Sequence, residues 1–315
     1  MEKLIILGSG PAGLTAAIYA ARAQLAPLLI TGNALGGQMG VTDVVENYPG
    51  FPQPITGAEL TTLMREQAER FGTKVELEEA VEVDLSHRPF RVKTYGREHE
   101  AQTLIIATGA TPRKLGVPGE EEFIGRGVSY CATCDGFFFR DKRVAVVGGG
   151  DAAVKEAVFL TRFASRVYIV HRRDVLRAEQ IVQEMAKLNE KIEFVWDTVV
   201  MEILGQEGPT GLRLKDLKSG EESVLPIDGV FVYAGNLPNI ALFQGQLELD
   251  EEGYIVTDAQ QRTSVPGVFA AGDVQERVLR QIATAVGTGA KAAMEAERYI
   301  AELEGRAYPD WQALE

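Results

Sequence analysis

Cysteine is nearly absent from this 315-residue chain, which has two, Cys131 and Cys134. A secreted domain stapled by disulfides carries more of them at wider spacing, so a disulfide scaffold is excluded. Histidine is also sparse, with three residues scattered at 87, 99 and 171. Cationic excess is missing: 32 Lys and Arg stand against 45 Asp and Glu, a net charge of −13. A nucleic-acid partner needs a basic face, so none is expected, although a local basic pocket is compatible with this balance. No long apolar run replaces these features. The longest charge-free stretch, Leu4 to Ala21, has Gly8-Ser-Gly-Pro-Ala-Gly13 at its centre. That interior suits neither a membrane span nor a signal-peptide core, and Met1-Glu2-Lys3 gives no net positive start. No membrane partner is expected, and the chain is read as cytoplasmic.

What is present is an ordinary globular balance, 45% hydrophobic and 24% charged. The length allows two domains of about 100–200 residues each. The 33 glycines cluster behind short apolar runs. Leu4-Ile-Ile-Leu7 reads as a strand, Gly8-Ser9-Gly10-Pro11-Ala12-Gly13 as a turn, and Leu14 to Ala23 as a helix. This is the dinucleotide fingerprint in its required context. Gly8 makes the turn, Gly10 lets the backbone approach a pyrophosphate, and Gly13 lets helix and strand pack closely. The next strand, Pro27 to Ile30, ends in Thr31-Gly32 rather than the acid that would hold a ribose hydroxyl.

The pattern then repeats. Val144-Ala-Val-Val147 leads into Gly148-Gly-Gly150-Asp151-Ala152-Ala153 and the helical run Val154 to Phe163. The following strand, Val167 to Val170, ends in His171-Arg172-Arg173, with Arg177 nearby. An NAD enzyme places Asp or Glu there. Arginines suit a 2′-phosphate through charge-assisted hydrogen bonds, and the alternative is a solvated cationic cluster. The second unit reads as an NADPH site.

Two further apolar runs, Leu104 to Gly109 and Val265 to Asp273, bracket this complete unit. Their order predicts an α/β fold of two Rossmann-like domains, the second inserted into the first: residues 1–112 with 245–315, and 113–244. The crossings at 112–119 and 236–245 carry the Pro, Gly and Asn expected of hinges. Thr56-Gly-Ala-Glu59 has capping-box spacing before an apolar helical face of Leu60, Leu63, Met64, Ala68 and Phe71. That segment is core.

Gly127-Val-Ser-Tyr-Cys131-Ala-Thr-Cys134-Asp135-Gly136 carries the candidate chemistry. Two intervening residues let the sulfurs meet, and a thiolate in such a turn is favoured enough for exchange near neutral pH. Asp135 is a candidate proton donor or acceptor. A metal site and an inert structural bond are the other uses of the spacing. Zinc would need four ligands, and the dispersed histidines do not complete the set, so no metal is expected.

The segment Cys131-Ala-Thr-Cys134-Asp135-Gly136-Phe137-Phe138 resembles the active-site signature of bacterial low-molecular-weight thioredoxin reductases. Gly8 to Gly13, Gly36-Gly37-Gln38, Glu46-Asn47, Ala107-Thr-Gly109, His171 to Arg173, Arg177-Ala178, Ala271-Gly-Asp273 and Arg280-Gln281 stand in the same order as in that family. The likeness covers essentially the whole chain. It implies three-layer domains, FAD in the first, NADPH in the second, a homodimer, and thioredoxin as protein substrate. It assigns Gly8, Ser9, Gly10, Pro11, Ala12, Gly13, Gly37, Gln38, Asn47, Gly109, Asp273, Arg280 and Gln281 to the flavin. Gly148, Gly150, Asp151, Ala152, His171, Arg172, Arg173 and Arg177 fall to NADPH. Cys134 is implied to face the flavin and Cys131 to attack the outside disulfide, with a rotation of the inserted domain between half-reactions. Asn236-Leu-Pro-Asn239 and Lys155 depart from the family pattern. Phe137, Phe138 and Arg126 flank the dithiol and would suit protein docking if exposed, or core packing if buried.

Overall fold

The computed structural model describes residues 1–42 and 44–308. It opens with β1 (Glu2–Leu7), whose side chains alternate between two cores: Leu4 and Ile6 on one face, Ile5 and Leu7 on the other. Burial on both faces is the environment of a central parallel strand. Helix α1 (Pro11–Arg22) follows, with proline at the start, where a helix has no use for the missing N–H. The chain continues through β2 (Leu28–Ile30), α2 (Gly37–Gly40), α3 (Gly57–Arg70) and β3 (Lys74–Glu76). Thr56 caps α3 by accepting the Glu59 N–H at 3.1 Å, as its spacing predicts. Leu60, Met64 and Ala68 are buried, whereas Leu63 lies off that face and is exposed.

A meander of β4 (Ala80–Asp84), β5 (Phe90–Thr94) and β6 (Glu98–Ile106) completes the first passage. The strands lie in the order β3-β2-β1-β6-β5-β4. The chain leaves β1 toward β2 and later returns to its opposite side with β6, parallel to β1. Strand order therefore reverses between β1 and β6, and ligands of open α/β sheets bind beyond the carboxyl ends at such a point.

After β7 (Ala110–Pro112) come β8 (Val128–Ser129), α4 (Ala132–Asp135), β9 (Arg143–Val147), α5 (Asp151–Leu160), β10 (Arg166–Val170), α6 (Gln180–Lys187) and β11 (Ile192–Val195). An antiparallel sheet of β12 (Thr198–Gly205), β13 (Pro209–Asp216) and β14 (Glu222–Pro226) precedes β15 (Gly229–Val232). The parallel sheet has the order β11-β10-β9-β15-β8, so its reversal falls between β9 and β15. One face packs on α5 and α6 through Val144, Val146 and Ile169. The other packs on the antiparallel sheet through Ala145, Val230 and Val232. The result is three layers.

The chain returns through β16 (Asn236–Pro238) to β17 (Val268–Ala270), which adds to β6, and ends in α7 (Ile282–Leu303). The two crossings, β7 and β16, pair as a two-stranded ribbon. Two compact units result: Met1–Thr111 with Leu237–Glu315, and Pro112–Asn236. The return falls at the start of the 236–245 crossing read from the sequence, ahead of the bound at 245. Ile240, Phe243 and Leu247 are buried with Ile5 and Leu7 in the core of the first unit, and this burial draws the whole segment into that unit. Among the described residues no helix is long and apolar enough to cross a membrane.

Candidate active site

In the first unit the turn after β1 is shaped by contact. A Cβ on Gly8 would collide with the Ala107 carbonyl, and one on Gly13 with the Gly8 carbonyl. Strand, turn and helix therefore meet at van der Waals distance only with glycine at both places. Gly10 differs: the nearest atom to a Cβ there is Gly36 O at 3.9 Å, and Gly109 has nothing within 4 Å. Those two positions leave room for a ligand against the backbone. Ser9 is buried, donating to Thr31 O at 2.9 Å and accepting the Gly36 N–H at 3.1 Å, which fixes the Gly36-Gly37-Gln38 segment beside the turn. No side chain caps α1 and its first turn holds no acid, so its N–H groups and positive dipole end suit a phosphate.

Several polar groups predicted from sequence are brought together around this end of the sheet. Asn47 Nδ2 donates to Gln281 Oε1 at 2.9 Å, although 234 residues separate them. Gln281 is also the N-cap of α7, in a reciprocal box with Thr284. Asp273 lies in the short 3-10 turn Gly272–Val274, three residues past the end of β17. Burial pushes its carboxyl up to about 6, with Arg280 opposing and Glu276 adding to the effect. Arg280 donates to Tyr254 Oη at 2.7 Å, while its buried Nε has no hydrogen-bond partner among the described residues. An open glycine cradle, an unmatched guanidinium nitrogen and a desolvated carboxyl form a donor and acceptor set that fits FAD.

The second unit repeats the first turn. A Cβ on Gly148 would lie 2.6 Å from Tyr233 O and 2.9 Å from Ala153 Cβ, whereas Gly150 has nothing within 4 Å. Arg177 and Ala178 donate their N–H groups to Gly149 O at 2.7 and 3.2 Å, tying that segment to the turn. Asp151 Oδ1 accepts the Glu179 N–H at 2.9 Å, so its carboxylate acts as a brace for the segment. Ala152 is exposed on the first turn of α5. His171 is buried over Gly149, with no hydrogen-bond partner at Nε2 among the described residues. Its pKa is lowered, first by burial; the Val175 backbone opposes this, and Arg173, Arg177 and Arg172 lower it further. The imidazole is therefore neutral at pH 7. Arg172, Arg173 and Arg177 are exposed, and none forms an ion pair among the described residues. Exposed guanidiniums without carboxylates, beside an open phosphate turn and an unmatched imidazole nitrogen, fit the 2′-phosphate end of NADPH.

Cys131 and Cys134 are joined as a disulfide, with Cα atoms 5.3 Å apart. Cys131 is the N-cap of α4. Its N–H donates to Ser129 Oγ at 3.0 Å, its sulfur lies 3.3 Å from Thr133 Oγ1, and its carbonyl accepts the Asp135 N–H at 3.1 Å. Both cysteines and Asp135 are half-buried. Phe137 and Phe138 are 54% and 47% exposed, so the core reading of these rings fails. Arg140 lies over the Phe137 ring at 5.1 Å, and Arg126 is exposed.

Sequence reasoning missed Tyr233, whose Oη accepts the Ala132 N–H at 2.7 Å. It also missed Glu120, whose buried carboxylate accepts from Leu115 N–H, Gly116 N–H and Tyr130 Oη at 2.9, 2.7 and 2.9 Å. The one available signal for Tyr233 is its place just past the last strand of the inserted sheet, at the β9–β15 reversal. The redox pair and the second glycine turn thus share the carboxyl end of β15.

A family model described as pyridine nucleotide-disulphide oxidoreductase matches residues 2–289. The chain belongs to this family. Within it, the chain is 50% identical to a thioredoxin reductase of Streptomyces coelicolor, covering 100% of this chain and 99% of that one. It is 53% identical to a thioredoxin reductase of Rickettsia bellii, covering 95% and 98%. Among solved structures, a thioredoxin reductase from Streptococcus pyogenes superposes with a TM-score of 0.88 at 47% identity, covering 95% of this chain and 98% of that one. One from Giardia duodenalis gives 0.89 at 42% identity over 95% and 98%. As a pyridine nucleotide-disulphide oxidoreductase, the chain is an enzyme, and Cys131–Cys134 is its only cysteine pair.

Proposed function

We propose that the chain is an NADPH-dependent thioredoxin-disulfide reductase, with FAD in the first unit, NADPH in the inserted unit, and Cys131–Cys134 as the pair that hands reducing equivalents to thioredoxin. The observation that carries this reading is the placement of a disulfide at the same sheet end as a phosphate turn rimmed by unpaired arginines. Support for the substrate comes from the names of relatives near 50% identity over nearly the full chain.

When bound, the flavin supplies two-electron exchange between reduced nicotinamide and a disulfide. The residues of the chain do the rest. Gly10 and the uncapped start of α1 hold the pyrophosphate, while Asp273 and Arg280 orient the remaining polar groups. Arg172, Arg173 and Arg177 select the 2′-phosphate, and His171 Nε2 offers one further hydrogen-bonding nitrogen beside them. Two electrons break the Cys131–Cys134 bond, leaving one thiolate and, with a proton managed by Asp135, one thiol. The Cys131 thiolate then attacks one sulfur of thioredoxin disulfide, expelling the other as a thiolate and forming a mixed disulfide. Cys134 attacks Cys131 Sγ in turn, which restores the pair and releases dithiol thioredoxin. Phe137, Phe138 and Arg126 offer an aromatic anchor with charge beside Cys131 for that partner.

The inserted unit must present its dithiol and its nicotinamide to one flavin in turn, and a rotation about the two crossings accomplishes this. Gly116 and Gly235, beside the two crossings, adopt the positive φ that glycine allows at such bends. A cytoplasmic homodimer completes the proposal.

Cys131→Ser tests it. The variant is expected to keep NADPH-dependent flavin bleaching while thioredoxin reduction falls by at least about a thousandfold, the scale for losing a nucleophile. Native-rate thioredoxin reduction by the serine variant contradicts the assignment.

A further inference from the structure

Tyr233 touches the dithiol turn and has no part in the chemistry above. Its ring packs partly buried against the core of the inserted unit, and its Oη receives the N–H of Ala132, the residue between Cys131 and Thr133, at 2.7 Å. Ala132 begins α4, a helix of four residues. So short a helix cannot hold itself, because nucleation is unfavourable and too few bonds follow to offset it. Its geometry comes from outside. In the oxidised protein the S–S bond itself closes the turn. Once that bond is broken, the ties that still hold the turn include the Ser129 bracket on Cys131, the Asp135 N–H to Cys131 O bond, and the Tyr233 contact.

The Ser129 tie comes from β8 and holds Cys131, whereas the Tyr233 tie comes from the end of β15 and holds the first residue of α4 itself. Tyr233 follows β15, and its own N–H donates to Val147 O on β9 at 2.8 Å. The preceding segment is fixed separately, through Tyr130 and the buried Glu120. Burial keeps the Tyr233 hydroxyl un-ionised, with Glu156 of α5 and Asp135 of α4 adding to the effect through their charge. Glu156 is itself pushed up by burial and has an unpartnered Oε2. Tyr233 therefore meets the dithiol as a neutral hydrogen-bond acceptor at every working pH.

We propose that Tyr233 is a positioning residue for the dithiol: by holding the Ala132 amide it keeps the Cys131–Cys134 turn folded after the disulfide opens. A thiolate in such a turn is stabilised by the neighbouring thiol and by the backbone amides, and both effects need the turn intact. The inference rests on the dithiol being the redox pair of the enzyme. Its test reads the thiol itself, without NADPH or thioredoxin, so its failure is distinguishable from failure of the electron-transfer reading.

The experiment is alkylation of the reduced holoenzyme by iodoacetamide across pH, with the Cys131 peptide quantified by mass spectrometry. Tyr233→Phe keeps the ring and alters no charge, so its melting temperature in the disulfide state is expected to stay close to the native one. The inflection for Cys131 is expected to rise by at least about half a pH unit, a roughly threefold loss of rate below the inflection. The same rise is expected when Tyr233→Phe is made in a Glu156→Gln background, which removes the carboxyl that acts most strongly on Tyr233. A Tyr233→Phe profile that superimposes on the native one overturns the proposal. So does a rise that vanishes in the Glu156→Gln background, because it would then report a redistributed charge and not a loosened turn.

Discussion

At the scale of single residues, Asp273 shows how the site sets stability against function. Its carboxyl is displaced from an ordinary 3.8 to about 6, chiefly by burial. The folded chain therefore binds this proton more tightly than the unfolded chain does. Stability is unaffected below the unfolded value, declines as pH rises between the two values, and carries the full cost above about 6. A displacement of that size corresponds to about 3 kcal/mol. In flavin-stripped protein, Asp273→Asn is expected to raise the melting temperature near pH 7.5 and leave it nearly unchanged near pH 3.5. The same variant should retain FAD less well. An equal shift at both pH values would show that packing, and not ionisation, governs the position. The glycines were legible at this scale because what they require is local: Gly8 and Gly13 must lack a Cβ for a strand to pass directly into a packed helix. Asp151 was legible as part of the turn but not as a brace, since the Glu179 amide it holds lies 28 residues away.

At the scale of elements, the short 3-10 turn Gly136–Phe139 places two phenylalanines beside the dithiol and buries the third. Phe139 packs edge-on against Phe231 with ring centroids 5.0 Å apart, and Phe137 meets Phe163 at 6.2 Å. The first contact is core. The second leaves Phe137 half in solvent, with Arg140 over its ring. Truncating Phe137 and Phe138 together to alanine is expected to raise KM for thioredoxin roughly tenfold or more, as loss of an aromatic anchor does. Flavin reduction by NADPH and reduction of a small disulfide should be unaltered. Loss of all activities alike would mark the pair as structural. Periodicity made most elements legible, including α1, α5 and the two central strands. Composition marked the return crossing at Asn236-Leu-Pro-Asn239 but not where that crossing ends, since Ile240 and Phe243 already pack into the core of the first unit. Sequence gives the polarity of such a segment but not the groove that receives it.

At the scale of the whole molecule, the fold is one motif used twice, with the second copy carried inside the first. Both copies keep an open glycine, Gly10 or Gly150, at the carboxyl end of a central strand. The repeat was visible because each copy announces itself within about 30 residues, the length of a strand–turn–helix–strand unit. The Tyr233–Ala132 contact was not, because it joins positions 101 residues apart and exists only once β15 lies beside β9. The central claim is a continuous path for two electrons from NADPH to the sulfur pair and on to thioredoxin. Its most direct test is an anaerobic titration of the yellow protein, following flavin absorbance and free thiols together. NADPH near stoichiometric amounts is predicted to yield the two thiols of Cys131 and Cys134, NADH to require far more, and thioredoxin disulfide to remove those thiols again. A folded protein that takes up no flavin, or one whose flavin bleaches while no thiols form, would contradict it.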